Sequence, residues 1–291
     1  MNTQSHIGMK MYRGDFKIKN MIKILTGYSG PGGSTIALIN LTNTLNKVGY
    51  PTIFYGPEDY HIKKCRYAKN ISNYQEQFGE RLIVHLGNFK KRPSDAKRVI
   101  LSPHEKEFYD INDQKCFWDE CVFLNEIHRK YHSNYTGPYR IIPNFRRKLK
   151  KIEKSSEAKK CAGVIGTIQP IKQTHISIQK AIDAGYEKVY LFGVLPDDEF
   201  HFSYYEKNIN PLIKKYPNKI IKYGFIENQS EMYAMINAVY FFPLTDVASH
   251  IQYECEATNT ILYGNDLAYY ADNTWSNRKI LNAWIDVLNL K

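Results

Sequence analysis

Short apolar runs alternate with longer amphipathic runs along most of the chain, and the pattern is clearest near its start. Ile22, Ile24 and Leu25 predict a short buried strand, which a glycine-rich turn over residues 28–33 ends. An apolar stripe at helical spacing follows and predicts a helix that begins after an N-cap at Ser34 and ends at Gly49 as its C′ residue. With a further strand over residues 52–55, the segment is predicted to be a β-loop-α-β unit.

The same alternation is repeated along the rest of the chain in two blocks. Further strands are predicted over residues 81–86, 98–102, 121–124 and 139–142, and then over 162–166, 188–193, 219–224, 239–242 and 260–263. Helices are predicted over residues 60–78, 126–131, 175–184, 204–216, 230–238, 250–257 and 276–290. Strands that alternate with helices are typical of parallel, doubly wound sheets. We therefore expect an α/β protein with two Rossmann-like domains, whose strand ends face each other across a cleft.

A basic segment separates the two blocks. Eight of the sixteen residues over 145–160 are Lys or Arg, and few are apolar, which indicates a linker or an exposed helix at a domain boundary. The expected division is a flexible lead-in over 1–20, an N-terminal Rossmann-like domain over 21–147, a basic linker over 148–160, a C-terminal Rossmann-like domain over 161–275 and a closing helix over 276–291.

The composition is that of a globular, basic protein. Of its 291 residues, 43% are hydrophobic and 24% charged, which argues against disorder. The formal net charge is +11 and the sequence pI is about 9.2, a surplus that favours nucleic acid, anionic lipid headgroups or phosphorylated small molecules without choosing among them.

The cysteines and the apolar segments bear on location. The five cysteines are scattered and none forms a C-x-x-C pair, which favours reduced thiols in the cytoplasm over a disulfide framework. No apolar stretch reaches the roughly 20 residues that cross a bilayer, and residues 1–20 lack the apolar core of a signal peptide. We expect a cytoplasmic protein, with peripheral attachment to the inner membrane, or a host's cytoplasm for a phage-encoded chain, as the alternatives.

The glycine-rich turn is a candidate anion site. Amides at Gly32, Gly33 and Ser34 would point outward from the start of the helix, where negative charge is favoured. The G-x-G-x-x-G fingerprint is absent, which disfavours a dinucleotide-dependent oxidoreductase. A Rossmann-type turn without any ligand is the alternative interpretation.

Four segments carry a resemblance to a known family. They are the opening glycine-rich unit, Arg140-Ile141-Ile142-Pro143-Asn144, residues 163–172, and Asp246-x7-Glu254 with the six residues that follow it. Their order and spacing resemble those of the GT-B glycosyltransferases, specifically the group 1 (GT4-like) retaining family. The resemblance covers Ile22 to about Tyr263.

The resemblance implies roles for individual residues. Lys172 would neutralise the leaving diphosphate, with help from the amides of Gly32–Ser34. Glu254 would hydrogen-bond the ribose hydroxyls, Asp246 would contact the donor sugar over its reacting face, and His104 would reach a donor-sugar hydroxyl. The family mechanism is a front-face reaction with retention, for which no protein nucleophile is assigned and no divalent metal is required.

This sequence departs from the family pattern at the phosphate site. Thr167 stands at a donor-binding position where the family has an arginine beside the lysine that Lys172 matches, so one cation is missing. The first acid of the spaced pair is Asp246 instead of Glu. Arg140 or a lysine of the linker is a candidate to supply the missing charge.

Plainer interpretations stay open for these residues. Lys172 could be a solvated surface lysine, and Asp246 an N-cap or turn residue. Glu254 and Glu256 face different sides of a helix, so one of them could simply be exposed. A structural histidine is the commoner fate for a residue at a strand end, and a functional role is favoured for His104 alone.

The leading hypothesis is a glycosyltransferase that moves a hexosyl or pentosyl group from a nucleotide sugar, with a UDP-sugar as the expected donor. The acceptor is either a lipid-linked or polysaccharide glycan at a membrane surface, or a modified base in DNA as in some phage enzymes. Lys90, Lys91 and Arg92 form a basic loop on the acceptor side, although such runs are usually solvated charge. The alternative function is a non-catalytic or phosphorylase-like sugar-phosphate-binding protein of the same fold.

Overall fold

The structure is a computed structural model. It describes residues 21–28, 32–57, 63–85, 92, 95–104, 106, 118–269 and 274–290. The expected lead-in over residues 1–20 lies outside the described residues, as do Lys90, Lys91 and the centre of the glycine-rich turn.

The first sheet is built from the amino-terminal part of the chain. Its described strands are β1 (Ile22–Leu25), β2 (Thr52–Gly56), β3 (Ala68–Asn70), β4 (Arg81–Val84), β5 (Arg98–Leu101), β6 (Glu120–Phe123) and β7 (Tyr139–Ile141). They lie in the order β3-β2-β1-β4-β5-β6-β7, and each neighbouring pair is parallel. Two described helices belong to this part, α1 (Gly33–Lys47) and α2 (Glu126–Tyr131).

The second sheet follows the basic segment. Its described strands are β8 (Cys161–Ile165), β9 (Lys188–Phe192), β10 (Ile220–Gly224), β11 (Ala238–Phe241) and β12 (Ile261–Gly264), in the order β10-β9-β8-β11-β12 and all parallel. The helices described here are α3 (Thr174–Asp183), α4 (Glu199–Tyr204), α5 (Asn210–Lys215), α6 (Gln229–Ala234) and α7 (Ile251–Thr258), and α8 (Asn277–Val287) ends the chain. The prediction of two parallel α/β sheets is therefore confirmed.

Each sheet has one point where the strand order reverses. In the first sheet this point lies between β1 and β4, and in the second it lies between β8 and β11. Loops diverge to opposite faces at such a point, which opens a crevice at the carboxyl ends of the strands. The two crevices are the places where a ligand site is expected.

Helix α8 returns from the second sheet to the core of the first. Its Ile280, Trp284 and Val287 are buried in the same cluster as the apolar side chains of β1 and α1. Arg81, at the start of β4, donates hydrogen bonds to the carbonyls of Leu288 (2.7 Å) and Asn289 (2.9 Å), which end the helix. A cation at a helix C-terminus satisfies carbonyls that have no partner inside the helix.

Two of the predicted helix starts are wrong. Gly32, not Ser34, is the N-cap of α1, and it provides no side-chain cap. Asn228, not Ser230, is the N-cap of α6, and its side chain accepts a hydrogen bond from the Ser230 amide. In both cases a serine close to the expected start was taken for the cap, although a residue one or two positions earlier has the extended backbone that a cap requires.

The helix predicted over residues 60–78 is also wrong over most of its described part, where only residues 63–64 are α-helical. Strand β3 extends the first sheet here by pairing with β2, and a single 3₁₀ turn over Ile71–Asn73 follows it. The pairing places Ala68 opposite Phe54, so edge pairing on an existing strand outweighs the local preference of a polar stretch. The predicted helix over 204–216 is interrupted by a π-helical turn at Tyr205–Ile209, just before Pro211, which cannot donate a backbone hydrogen bond.

The basic segment has no regular secondary structure over most of its length and is anchored at several points. Lys154 donates hydrogen bonds to the carbonyl of Tyr233 (2.5 Å) and to the hydroxyl of Thr260 (2.8 Å), and burial lowers its pKa. A single 3₁₀ turn at Ala158–Lys160 leads into β8. Within the described ranges, no helix is both long enough and apolar enough to cross a membrane.

Candidate functional site

The loop after β8 brings Thr167 to the switch point of the second sheet. Gly193, which follows the neighbouring strand β9, lies so close to the Gly166 carbonyl that a Cβ would overlap it. This close approach fixes the loop, and the Ile168 amide bonds the Val194 carbonyl at 2.9 Å. Thr167 is half-buried there, and its side chain makes no hydrogen bond to the described residues.

Lys172 and Asp246 meet at this switch point. Lys172 ends the 3₁₀ turn after β8, and its Nζ lies 2.7 Å from Asp246 Oδ2 in the loop after β11. The other carboxylate oxygen of Asp246 accepts from the Ala248 amide at 3.1 Å, so Asp246 is also a turn residue. With 26% of the Lys172 side chain exposed and 8% of that of Asp246, the cation is the more accessible member of the pair.

Glu254 is held inside the protein in the first turn of α7. Its Oε1 accepts from Arg147 Nη1 at 2.6 Å, and its Oε2 accepts from the Tyr233 hydroxyl at 2.9 Å. Burial, and next the Glu254 charge, raise the pKa of Tyr233 well above its usual range, so the hydroxyl is a donor. Glu256 is exposed, as expected for one acid of this pair, and its contact is with Gln252 on the same helix.

His104 lies among other histidines at the carboxyl ends of β4 and β5. Its ring packs edge-on against His85, with centroids 5.1 Å apart, and its Nε2 is 3.4 Å from the Ser102 hydroxyl. His85 Nδ1 is 3.0 Å from the Thr26 hydroxyl at the end of β1. These contacts place both rings at the switch point of the first sheet.

Burial keeps these histidines neutral near pH 7. It lowers the pKa of His85 to about 3 and that of His104 well below 6.5, and the positive charges that His85 and His250 would carry lower the pKa of His104 further. His250, just before α7, has its pKa lowered to about 4 by burial and by Arg147. We call His85, His104 and His250 the histidine cluster, because it joins the two halves of the molecule.

The described end of the glycine-rich turn leads into α1. Gly32 precedes the helix with extended backbone, and the Tyr28 ring lies 3.1 Å from the place a Cβ would occupy. The first turn of α1 carries no acidic side chain, which leaves its positive end without a local counter-charge. Gly33 and Ser34 are the first residues of that turn.

A cavity of about 280 Å³ separates the two halves beside this helix. Its walls are Ile36, Ile39 and Asn40 from α1, Lys64 and Arg147 from the first part of the chain, and Phe225, Glu227 and Gln229 after β10. Two of these residues, Lys64 and Glu227, form an ion pair at 2.6 Å, and the Asn125 side chain donates a hydrogen bond to the Val247 carbonyl across the two halves. The predicted cleft between the sheets is therefore present.

Other predicted cations lie elsewhere or are already paired. Arg140 forms ion pairs with Glu120 and Asp286 at the amino ends of the strands, so the hypothesis that it supplies the missing charge at the cleft is wrong. Arg92 is held by both carboxylate oxygens of Asp119, at 2.8 and 2.9 Å. Lys90 and Lys91 lie outside the described residues.

Three residues that contribute to the candidate site were not predicted from the sequence. Arg147 was counted only as part of the basic segment over 145–160. Its position shortly after Pro143-Asn144, where the first half ends, could have marked it as a residue near the cleft. Tyr233 and His250 carry no sequence signal, because only the folded chain brings them to Glu254 and His104. Among the described residues there is no group of three histidine, cysteine, aspartate or glutamate side chains that could hold a metal ion.

The fold is that of the GT-B glycosyltransferases. A structure of HepE (Alr3699) from Anabaena in complex with UDP and glucose aligns with a TM-score of 0.65 at 11% identity, over 91% of this chain and 88% of that one. Sucrose-phosphate synthase from Thermosynechococcus elongatus aligns with a TM-score of 0.64 at 12% identity, over 93% and 90%. AviGT4, a glycosyltransferase involved in avilamycin A biosynthesis, aligns with a TM-score of 0.55 at 13% identity, over 93% and 97%. No protein-family model and no curated protein sequence matches this chain.

Proposed function

We propose that this protein is a glycosyltransferase that uses a nucleotide sugar as donor, with a UDP-sugar as the first choice. The observation that carries the proposal is the pairing of Lys172 with Asp246 at the switch point of the second sheet, the place where open α/β sheets bind ligands. Similar structures were solved with UDP and glucose and with UDP-glucose, which supports this donor class.

The chemistry of the donor fits these side chains. When the glycosidic bond to the diphosphate breaks, negative charge grows on the leaving phosphate, and Lys172 with the amides of Gly32–Ser34 would stabilise it. Glu254 would accept hydrogen bonds from the ribose hydroxyls, because a carboxylate can accept more than the two bonds that Arg147 and Tyr233 provide.

The reacting sugar would lie between the two halves. Asp246 would contact its hydroxyls, and His104, which is neutral near pH 7, would offer or accept a hydrogen bond at another hydroxyl. We propose retention at the anomeric carbon through a front-face reaction, without a protein nucleophile and without a required metal ion.

Two acceptor classes follow from the basic surplus, and the acceptor is proposed to be either a lipid-linked or polysaccharide glycan or a modified base in DNA. Affinity for duplex DNA that falls steeply with salt would support the second class, whereas binding to anionic vesicles without DNA binding would support the first. The described cysteines are free and buried, which fits the proposal of a reducing compartment.

A panel of UDP-, GDP- and ADP-sugars tests the proposal, with hydrolysis of the donor and transfer to each acceptor class as the readouts. Turnover of one nucleotide sugar is the expected result, and the anomeric configuration of the product tests retention. If no nucleotide sugar binds or reacts, the proposal is contradicted.

A sugar-phosphate-binding protein without transferase activity is the second candidate. Thr167 removes one cation from the phosphate site, and the charge of Lys172 is partly neutralised by Asp246. Saturable binding of a sugar phosphate, with no turnover of any nucleotide sugar, would favour this function.

A further inference from the structure

The proposed phosphate site lacks a second cation, and Arg147 is our candidate for it, because Lys64 in the same cavity is paired with Glu227. Arg140 is held at the far end of the first sheet, and Lys154 is bound to a carbonyl and a hydroxyl behind α7. Lys148 and Lys150 are exposed on the basic segment. Arg147, in contrast, lines the cavity of about 280 Å³ between the two halves.

The backbone just before Arg147 is fixed. Phe145 is buried in the core of the first sheet. The amide of Arg146 donates to the Asn277 side-chain oxygen at 2.8 Å, and the Arg146 carbonyl accepts from the Asn277 side-chain nitrogen at 3.0 Å. A side chain that leaves the backbone from such an anchored point loses little further freedom when it binds a ligand.

The guanidinium of Arg147 keeps unused donors. Among the described residues it makes one hydrogen bond, from Nη1 to Oε1 of Glu254. A guanidinium carries five N–H donors in a rigid planar fork. While one of them is held by the carboxylate, the others are available to an acceptor on a ligand. Because 17% of the Arg147 side chain is exposed and only 5% of Glu254, a ligand in the cavity meets the guanidinium first.

We propose that Arg147 binds the diphosphate of the nucleotide donor, in place of the cation that is missing at Thr167, while it keeps Glu254 in position for the ribose. The inference rests on the proposed function. In a nucleoside diphosphate the first phosphate is attached to the same ribose that Glu254 would hold. Because the Arg147 guanidinium is paired with Glu254, it is suited to bind the phosphate that is attached to the ribose.

Two ligands separate this role from a purely structural one. We would measure the dissociation constants of the best-bound of UDP, GDP and ADP by calorimetry, and those of the matching free nucleoside by ligand-observed NMR. For Arg147→Gln we expect at least about a tenfold loss of affinity for the diphosphate, as for one charge-assisted hydrogen bond, and a change within about twofold for the nucleoside. Lys148→Gln, at the neighbouring exposed cation, is the control and should change neither.

A second variant keeps the test valid if Gln perturbs Glu254. Arg147→Lys retains a cation beside the carboxylate, so we expect it to bind the nucleoside like the wild type and the diphosphate better than Arg147→Gln does. Thermal unfolding of each variant would establish that it is folded.

Three outcomes would overturn the inference. An equal loss for diphosphate and nucleoside would mean that Arg147 acts only through Glu254. Unchanged diphosphate affinity in Arg147→Gln, or no recovery in a folded Arg147→Lys, would exclude its charge as the cause. A fourth outcome, in which the wild type binds none of the three diphosphates, would contradict the proposed function as well, and it is distinct from the other three.

Discussion

Charged side chains lie both at the amino end of the first sheet and at the carboxyl ends that face the cleft, but the two sets differ in how many partners they have within the protein. At the amino end, Lys23 Nζ lies 2.6 Å from Glu80 Oε2 and 2.6 Å from the Gln75 carbonyl. The Tyr74 hydroxyl donates to the other oxygen of Glu80 at 2.6 Å. Burial, and next this hydrogen bond, raise the pKa of Tyr74. The whole group is enclosed by protein.

The charged side chains of a second group at the same end are also paired with one another. Glu120, at the start of β6, pairs with Arg98 through one oxygen and with Arg140 through the other, and Arg140 also pairs with Asp286 of α8. Arg98 further donates to the Val287 carbonyl at 3.1 Å. These ion pairs connect three strands to the closing helix.

The cleft-facing groups keep unused hydrogen-bonding capacity. His250 Nε2 is buried without a partner among the described residues, and Arg147 makes one hydrogen bond with its five donors. The Lys172 ammonium, which can donate three bonds, has one carboxylate partner in the described part of the chain.

The contrast separates structural charges from candidate functional ones. A buried charge that is paired with an opposite charge and enclosed by protein has little left to offer a ligand, and breaking the pair costs stability. A charge with free donors at a switch point costs stability to keep and is suited to binding. Substitutions at the amino end should therefore change stability, and those at the cleft should change binding and turnover.

The largest expected loss of stability is at the Lys23–Glu80 pair. Lys23→Met leaves the Glu80 carboxylate buried without its cation, which should lower the free energy of unfolding by about 3–5 kcal/mol in denaturant titrations. Lys69→Met, at an exposed lysine of β3, is the control and should stay within about 0.5 kcal/mol of the wild type. Adding Glu80→Gln to Lys23→Met should recover part of the loss, and a double variant less stable than Lys23→Met would contradict the pairing.

The cleft should show the opposite behaviour. We expect Lys172→Ala and Glu254→Gln each to reduce transfer from the nucleotide sugar by about 10²–10³-fold, equivalent to about 2.7–4 kcal/mol, because each removes a group that contacts the donor. Melting temperatures should show that both variants are folded. Lys214→Ala, at an exposed lysine of α5, should leave transfer unchanged. Turnover near the wild-type level in either cleft variant would move the site elsewhere.

A smaller effect on stability is expected at the junction of β4 and α8. Arg81→Met removes two hydrogen bonds from a charged donor to the carbonyls of Leu288 and Asn289, and it should lower the free energy of unfolding by about 2–3 kcal/mol. Hydrogen exchange at the end of α8 should become faster. Arg278→Met, on the exposed face of α8, should do neither, and equal losses in the two variants would mean that the capping of α8 contributes nothing.

Most strands and the overall architecture followed from local patterns. A parallel sheet is covered on both faces, so its strands are mostly apolar runs, such as 22–25 and 81–84 apart from Lys23 and Arg81, and they are visible without any tertiary information. The predicted helix over 126–131 is confirmed for the same local reason, since Asn125 caps it by accepting from the His128 amide. Strand β3 could not be recognised, because its pairing with β2 is a non-local contact.

The candidate site was only partly accessible from the sequence. Lys172 and Asp246 are 74 residues apart, and a resemblance to a family motif was needed to associate them. The partners of Glu254 come from 107 residues before it and 21 residues before it, and no spacing rule connects them. The reverse error is Arg140, whose charge was visible but whose position at the amino end of β7 was not weighed.

The smallest effect near pH 7 comes from His250, whose contribution to stability depends on pH. Its pKa is lowered from 6.5 to about 4 in the folded chain, so between these values the unfolded chain binds a proton that the folded chain does not. The contribution of His250 to stability is therefore highest above pH 6.5, and the free energy of unfolding falls by up to about 1.4 kcal/mol per pH unit as the pH falls towards 4. We expect His250→Asn to reduce the slope of unfolding free energy against pH in this window. Ile251→Val, a neighbouring core substitution without a titrating group, should lower stability at every pH and leave the slope unchanged; the same slope in His250→Asn as in the wild type would show that His250 is not held neutral at the junction of the two halves.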